Sequence, residues 1–360
     1  MVQFSAETIG NARERLNGIL EKGLVSTTTA LEEIQAEFNR RKDIIVRPEA
    51  MDFDITNGNI YPIVQDERYE LTGHSRGQLL ARAAVPQTFA ERLIELDERD
   101  LLRENLRRLL VKTSSDGILV RHVGSLAKGI LSSSYRRMDA SPIFEGFLQA
   151  ALNAGFKPYR GINTDTRYAL TMVLPEIRYI SPNEPVLFVI QIMTSDYGKG
   201  ALAFNLGAIR FVCVNLMTGN DILRKVHLGR RFDADNWDGN TVVELSTKTY
   251  ELDTRTVRSA ITDAVHSSDR YIKALETSLQ EGAEKKIDVS ASLTQLKKSG
   301  FSKDTLDKIK NTYEADLPVE ALPQEPGAWR FSNVLSLLAK SAKGDEKLEL
   351  ERAAMGVVAA

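Results

Sequence analysis

The sequence predicts an α+β fold: an antiparallel β-sheet core with packed helices, flanked by helical N-terminal and C-terminal arms. Apolar residues recur every three to four positions up to about residue 110 and again after residue 254, which is the period of a helix. Between these regions, short apolar runs end in glycine and other turn residues, which is typical of strands. Because the helical and strand patterns form separate blocks, they do not indicate a doubly wound parallel sheet.

The N-terminal region is predicted to be mainly helical. Ser5 fits the cap of a helix that reaches about residue 21, and a second helix is predicted over residues 28–41. The Asn57-Gly58 pair lies between two extended segments and predicts a β-hairpin. Three more helices are predicted to begin near Leu71, Pro86 and Glu98.

The central region is predicted to hold the sheet. Strands at 118–123 and 127–131 are joined at Gly124, and the turn at 197–200 joins two later strands. A helix is predicted over residues 142–154. The later strands are predicted at 168–175, 186–194 and 208–216.

The C-terminal region returns to the helical period. The predicted helices cover residues 255–286, 290–298, 302–314 and 329–355. Residues 316–327 are rich in proline and acidic residues, which predicts a linker. We therefore predict an N-terminal arm (1–50), a core domain (51–253), a helical extension (254–315), the linker (316–327) and a helical tail (328–360).

Composition excludes several classes of site. The one cysteine, Cys213, lies in an apolar run and cannot form an internal disulfide or a cysteine-based zinc site. The four histidines show no metal-ligand spacing, so we expect no metal, and no motif indicates a cofactor. The chain has neither a long apolar run nor the pattern of a signal peptide, which predicts a cytoplasmic protein without a membrane segment.

Positive charge is concentrated in the centre of the chain. Residues 121–231 contain 14 Lys and Arg against 7 Asp and Glu, whereas the whole chain has a net charge of −2. A basic centre between acidic arms is typical of a surface that binds a polyanion.

No catalytic motif is as strong as this charge pattern, so we predict a binding protein and assign no catalytic residue. Residues 73–77 match the G-x-S-x-G pattern of hydrolases, but the polar segment before them does not fit the buried strand that this motif needs. The pattern therefore predicts the start of a helix.

Two basic clusters and one turn are candidates for nucleic-acid contacts. Residues 132–137 combine hydroxyls, an aromatic ring and two guanidiniums, and residues 225–231 form a second cluster, although a solvated polar loop fits each equally well. The 197–200 turn places Lys199 between two glycines, which suits either a phosphate contact or a plain hairpin. Tyr135 and Tyr197 are predicted to stack on bases. The full set of predicted nucleic-acid-binding residues is Tyr135, Arg136, Arg137, Lys128, Tyr197, Lys199, Arg210, Lys225, His227, Arg230 and Arg231.

Several segments resemble the phage/plasmid-like protein family of unknown function, in the order that the family shows. Residues 129–139 are similar to its LS-x-x-YR-x-x-D segment, and residues 195–200 to its NSE-x-G turn. Residues 210–215 resemble its R-x-x-C-x-N strand, and residues 227–229 its H-x-G. The resemblance covers about residues 71–231 and implies a phage or mobile-element origin without a known enzymatic activity.

The architecture also resembles that of the single-strand annealing proteins of phage recombination systems. This resemblance implies a homo-oligomer, as a ring or filament, that holds single-stranded DNA along a basic groove during recombination or replication. An alternative is a phage interaction factor, an inhibitor or assembly protein, that binds a protein partner through its helical tail. A nucleotide-handling or nuclease-like enzyme is a third alternative. In the interaction-factor alternative, the side chains of the helical tail that would anchor a protein partner are Trp329, Phe331, Leu335 and Leu338.

Overall fold

Eleven helices and three β-sheets make up the residues that the computed structural model describes, which are 6–114, 116–135, 138–181, 184–225, 242–244 and 251–358. The strand pairs are antiparallel, apart from one short parallel pair. Helices dominate both ends of the described chain and the strands lie between them, which confirms the predicted α+β class.

The first helix, α1 (Ala6–Arg40), is continuous, so the prediction of two separate helices here is wrong. It lies along the strand β8 (Lys157–Asn163), and Gly23 makes the close approach possible. A Cβ atom at Gly23 would lie 2.4 Å from the carbonyl oxygen of Tyr159. Glycine in the middle of a helix is unfavourable by itself, by about 0.5–1 kcal/mol relative to alanine. Packing against the sheet, which the local sequence does not reveal, therefore holds the helix together at this point.

The first sheet has the strand order β14-β1-β6-β7-β5 and is packed against three helices. A small neighbouring sheet, β2-β3-β4, contains the predicted hairpin, whose turn residues Asn57 and Gly58 both have positive φ. Leu79, Leu102 and Val120 are among the buried residues of the shared core. The elements are β1 (Arg41–Val46), a 3-10 turn (Pro48–Ala50), β2 (Met51–Thr56), β3 (Asn59–Val64), β4 (Glu67–Arg68), β5 (Glu70–Leu71), α2 (Gly73–Arg82), α3 (Gln87–Glu95), α4 (Arg99–Thr113), β6 (Ile118–Val123), β7 (Leu126–Ser132) and β14 (Val242–Glu244).

The second sheet has the order β13-β12-β11-β9-β8, with β10 paired to β11. The predicted strand at 208–216 is wrong, because the chain reverses within it. Val214 has a φ of +57° and its amide donates to the Arg210 carbonyl at 2.8 Å. The turn is buried and therefore apolar, so its sequence is indistinguishable from that of a strand. The elements are α5 (Ala140–Asn153), β8, β9 (Tyr168–Val173), β10 (Arg178–Ser181), β11 (Glu184–Thr194), β12 (Leu202–Arg210) and β13 (Asn215–Lys225).

The C-terminal helices pack on this second sheet and share its core. The predicted helix at 255–286 is two helices, which end and begin on either side of Ser267, and the predicted helix at 329–355 is also two. Residues 340–343 separate the second pair, and Gly344 has a positive φ. These helices are α6 (Glu251–His266), α7 (Ser268–Ala283), α8 (Val289–Lys298), α9 (Lys303–Glu314), α10 (Ala328–Ala339) and α11 (Gly344–Val358).

The predicted anchors of the tail lie inside the protein. Trp329 is 5% exposed, Phe331 and Leu335 are fully buried, and Leu338 packs half-buried against the same core. The assignment of these side chains to a partner is therefore corrected, because they already fill the space between α10 and the sheet. Among the described helices, none has both the length and the apolar character that a membrane crossing needs. The division into five segments, with its four boundaries, stays a prediction.

Candidate functional site

An open pocket of about 810 Å³ lies between α2, the end of β7 and the turn at 197–201. We call it the basic groove. The described residues of its lining include two cations, Arg82 and Lys199, and no carboxylate. Neither cation forms an ion pair within the part of the chain that the structure describes. Arg82 donates from Nε to the Ile130 carbonyl at 2.9 Å, and burial lowers its pKa. The groove therefore holds positive charge that no lining side chain compensates.

A smaller pocket adjoins the basic groove and shares residues 199–201 with it. Its other cations are already paired: Arg167 lies 3.4 Å from the Glu349 carboxylate. Asp221 likewise accepts from Arg224 at 3.1 Å and from Arg352 at 2.6 Å. Basic side chains thus extend from Lys199 into the smaller pocket, but there they are paired with carboxylates.

The turn that presents Lys199 is held by hydrogen bonds from three sides. Ser195 Oγ accepts the amides of Tyr197 and Lys199, at 3.2 and 2.9 Å. The Tyr197 carbonyl accepts from Gln78 Nε2 at 2.8 Å and lies 2.9 Å from His74 Nε2. Since a carbonyl oxygen only accepts, His74 carries a proton on Nε2. Burial lowers the pKa of His74, and the nearby charge of Lys199 lowers it further.

Gly198 is required by the shape of this turn. Its φ is +79°, which favours glycine. A Cβ atom there would lie 2.6 Å from Leu131 Cδ2 and 3.1 Å from Gln78 Nε2. The backbone angle, and to a lesser degree the packing against these two side-chain ends, therefore disfavour a side chain between Tyr197 and Lys199.

Behind the turn lies a group of charged side chains that we call the buried ion-pair cluster: Asp43, Arg121, Arg41, Asp139 and Asp196. Each of the five residues is at most 7% exposed. Arg121 donates from Nε and Nη2 to the two oxygens of Asp43, both at 2.8 Å. Arg41 bridges the carboxylates of Asp139 and Asp196. Arg121 also donates to the Asp196 carbonyl at 2.5 Å, so the cluster ties the first sheet to the turn.

Tyrosines extend the cluster towards the groove. Tyr135 donates its hydroxyl to the Ser195 carbonyl at 2.9 Å, and Tyr168 donates to Glu37 at 2.8 Å. Burial raises the pKa of both phenols, so each stays a protonated donor at neutral pH. The cluster and the Tyr135 hydrogen bond hold Ser195 and Asp196, and thereby the start of the turn that presents Lys199.

The two predicted base-stacking tyrosines are buried, and that assignment is corrected. Tyr197 is fully buried beside Tyr168, and Lys128 Nζ lies 4.6 Å from the centre of its ring. Tyr135 lines the basic groove but is only 9% exposed. Neither ring offers a free face to a base.

Two predicted phosphate contacts are also corrected, because their charges are already paired. Arg210 is fully buried and donates to both oxygens of Glu184, at 2.7 and 3.0 Å. It also donates to the Val319 carbonyl at 2.9 Å, which holds the predicted linker against β12. Lys128 is paired with the carboxylate of Glu37 at 2.8 Å.

Lys199 is exposed at the groove, as a phosphate contact requires. Five of the predicted nucleic-acid-binding residues lie outside the described part of the chain, and only the backbone of Lys225 is described. Tyr135 belongs to the first basic cluster and lines the groove. The backbone of Lys225 pairs with Leu202, the neighbour of the groove residue Ala201. The five outside are Arg136, Arg137, His227, Arg230 and Arg231.

The sequence did not single out Arg82, although a signal was present. Arg82 follows Gln78 by four residues on α2, so both lie on one helix face, and both line the groove.

The predicted helix start at 73–77 is confirmed. Thr72 caps α2, and Ser75 is fully buried with its hydroxyl donating to the Ala127 carbonyl at 2.7 Å, which excludes a nucleophilic role in this conformation. In the described ranges, no group of three or more His, Cys, Asp or Glu side chains is arranged to hold a metal ion.

No protein-family model, curated protein or solved structure matches this chain. The resemblance to the phage/plasmid-like protein family therefore stays a prediction from its motifs. Those motifs contribute Tyr135, Asp139 and Asp196 to the cluster and its hydrogen bonds, so in this chain they shape the support of the turn.

Proposed function

We propose that the protein binds a single nucleic-acid strand in the basic groove, as a single-stranded DNA binding or annealing protein of a phage or mobile element acting in recombination or replication. The observation that carries this proposal is that two cations, Arg82 and Lys199, lie in one open groove and form no ion pair with a described residue. Tyr135, which belongs to the first basic cluster, lines the same groove. The backbone of Lys225, at the start of the second cluster, pairs with Leu202, which follows the groove residue Ala201.

The proposed contacts are made to phosphate and sugar. Uncompensated cations attract an anion most strongly where the surrounding walls exclude water, and both cations lie on the wall of a concave surface. Ser132 also lines the groove, and its hydroxyl supplies a neutral hydrogen bond to a phosphate oxygen. Since the tyrosines are buried, stacking contributes little, and we expect binding with weak sequence preference and strong salt dependence.

The alternative role as an interaction factor has no comparable support. It relied on anchors in the C-terminal tail, and Trp329, Phe331 and Leu335 are buried in the protein's own core. A homo-oligomeric ring or filament remains part of the proposal, because annealing requires several protomers along one strand. Annealing itself needs no chemical step, only a strand held by its backbone with its bases accessible.

The test is fluorescence anisotropy with a labelled single-stranded oligonucleotide at several salt concentrations. The variants are Arg82→Ala, Lys199→Ala and the double variant, and the control is Lys310→Ala, an exposed lysine on α9 that does not line the groove. We expect each groove variant to bind more weakly and to lower the log–log salt slope by about 0.7, the value for one phosphate contact on a single strand. The control should match wild type.

Two results would overturn the proposal. One is no binding by folded wild-type protein at low salt. The other is binding that the double variant leaves unchanged. A matched RNA strand and a duplex in the same assay separate a preference for DNA from general binding, and mixing complementary strands tests annealing.

A further inference from the structure

A second cationic pocket, of about 490 Å³, lies where α1, β8, the 211–214 turn and the helices α10 and α11 meet. None of its lining residues lines the basic groove. It therefore forms a separate candidate site, which we call the C-terminal pocket. Its charged lining residues are Arg15, Arg160, Lys340, Lys347 and Glu351.

Four of these five charges are positive, and the only carboxylate among them is already paired. Glu351 accepts two hydrogen bonds from Arg160, at 2.6 and 2.5 Å. Arg15, Lys340 and Lys347 form no ion pair within the described residues. The pocket thus holds three cations without a counter-charge, one more than the basic groove.

The three cations are oriented by local contacts that leave donors available. Arg15 donates from Nη1 to the Val212 carbonyl at 3.2 Å, and Lys340 donates from Nζ to the Cys213 carbonyl. Lys347 is half-buried on α11, and its ammonium makes no hydrogen bond to any residue that the structure describes. Burial lowers the pKa of Lys340 and of Lys347, and the neighbouring Arg15 and Arg160, respectively, lower them further. A bound anion would relieve this unfavourable concentration of positive charge.

The remaining wall of the C-terminal pocket is apolar. Ile19, Tyr159, Val214 and Leu216 line it beside the cations. Its volume is within the range of sites that bind small organic molecules. A bare inorganic anion would leave this wall uncovered, so the pocket suits an anion with an organic body.

We propose that the C-terminal pocket binds a small phosphorylated molecule, whose phosphate contacts Arg15, Lys340 and Lys347 while its organic part lies on the apolar wall. A phosphomonoester at neutral pH is mainly a dianion with three acceptor oxygens, one for each cation. A monocarboxylate would offset only one of the three charges. The proposal does not depend on nucleic-acid binding in the basic groove.

Binding at this place would join the two ends of the chain. Arg15 belongs to the N-terminal helix, whereas Lys347 belongs to the C-terminal helix α11. A ligand that contacts both helices stabilises their docking and raises the melting temperature, because it binds the folded chain and not the unfolded one.

The experiment combines thermal melting with isothermal titration calorimetry on the full chain. The probes are inorganic phosphate, glucose 6-phosphate, adenosine 5′-monophosphate and adenosine. The variants are Arg15→Ala and Lys347→Ala, and the control is Lys343→Ala, an exposed lysine between α10 and α11 that does not line the pocket. Circular dichroism establishes that each variant is folded.

We expect at least one phosphomonoester to bind more tightly than inorganic phosphate and to raise the melting temperature, whereas adenosine does neither. Removing Lys347 or Arg15 should weaken binding at least about tenfold, equivalent to about 1.4 kcal/mol, and Lys343→Ala should match wild type. Cys213 lines the pocket and is the only cysteine, so its alkylation rate is a second readout that the ligand should slow.

The proposal is overturned if no phosphate-containing probe binds at millimolar concentration. It is also overturned if Lys347→Ala and Arg15→Ala bind as tightly as the control. Strand binding in the basic groove is measured separately, with variants of Arg82 and Lys199, so failure at one site is distinguishable from failure at the other.

Discussion

The buried ion-pair cluster and the basic groove meet at one turn, yet they use positive charge in opposite ways. In the cluster, Arg41 and Arg121 are buried against carboxylates and backbone oxygens. In the groove, Arg82 and Lys199 form no ion pair with any residue that the structure describes. The cluster therefore stabilises the fold, and the groove keeps its charge available to a ligand.

This difference limits what an excess of basic residues reveals. The positive window of the sequence contains Arg121 and Arg210, which are fully buried in ion pairs, as well as the exposed Lys199. Their formal charges are identical, but a buried and paired guanidinium attracts no ligand. The number of basic residues in a sequence thus suggests an anionic ligand. Only the burial and pairing of each residue in the structure show which of them is available to contact it.

The largest expected effect is on the cluster. Asp43→Ala leaves the Arg121 guanidinium buried without its bidentate partner, and breaking a buried pair in this way costs about 3–5 kcal/mol. We expect that loss in the free energy of unfolding measured with urea. Asp52→Ala is a matched control, because Asp52 pairs with Arg103 at the surface, where an ion pair contributes about 0–1 kcal/mol.

The double variant Asp43→Leu/Arg121→Met sharpens this test. It removes both charges of this pair together, so Arg121 is not left buried without its bidentate partner, and it should be clearly more stable than Asp43→Ala. If Asp43→Ala costs no more than Asp52→Ala, the cluster does not stabilise the fold, and the contrast with the groove fails.

The next effect concerns Gly198, which lies between the two regions. Gly198→Ala places a side chain at a φ of +79° and against Leu131, so we expect a loss of about 1–3 kcal/mol in unfolding free energy. Because Lys199 follows directly, strand binding should weaken as well. The control is Gly200→Ala, whose Cβ would meet its nearest atom, on Arg167, at an ordinary 3.8 Å. Equal behaviour of the two variants would show that the turn is not constrained as described.

The features that the sequence predicted correctly depend on neighbouring residues. The Asn57-Gly58 hairpin, the turn at Gly124 and the helix start at 73–77 each need only a few adjacent side chains. The errors arose where distant contacts decide. Gly23 stays helical because β8 lies against it, and residues 211–214 reverse the chain although their apolar character is that of a strand.

The sequence predicted only in part which cations are exposed, for the same reason. Lys199 could be found, because a lysine between two glycines indicates an exposed turn. Arg210 and Lys128 were assigned to phosphate because their partners, Glu184 and Glu37, lie 26 and 91 residues away. No local pattern shows which cation is paired across such a separation.

The smallest expected effect is a pH dependence at the turn. The pKa of His74 is lowered in the folded protein, first by burial and then by Lys199 and Arg167, while Asp345 opposes the shift. The unfolded chain therefore binds the proton more readily, and the stability from neutral His74 is lost as pH falls below about 6.5. The measurement is the urea midpoint of wild type and His74→Gln at pH 7.5 and at pH 5.5. We expect the advantage of wild type to shrink at the lower pH, since all other titrating groups are common to both proteins.

A wild-type advantage that is constant or grows at low pH would contradict this assignment. The same residue also connects stability to the groove. A phosphate bound at Lys199 would offset the positive charge that lowers the His74 pKa, so the pKa should rise when a strand binds. Strand binding near pH 6 should then take up protons in wild type and take up fewer in His74→Gln, which calorimetry in buffers of different ionisation enthalpy measures. Equal proton uptake by the two proteins would place the strand's phosphates away from Lys199, and that would break the assignment of the groove while leaving the cluster intact.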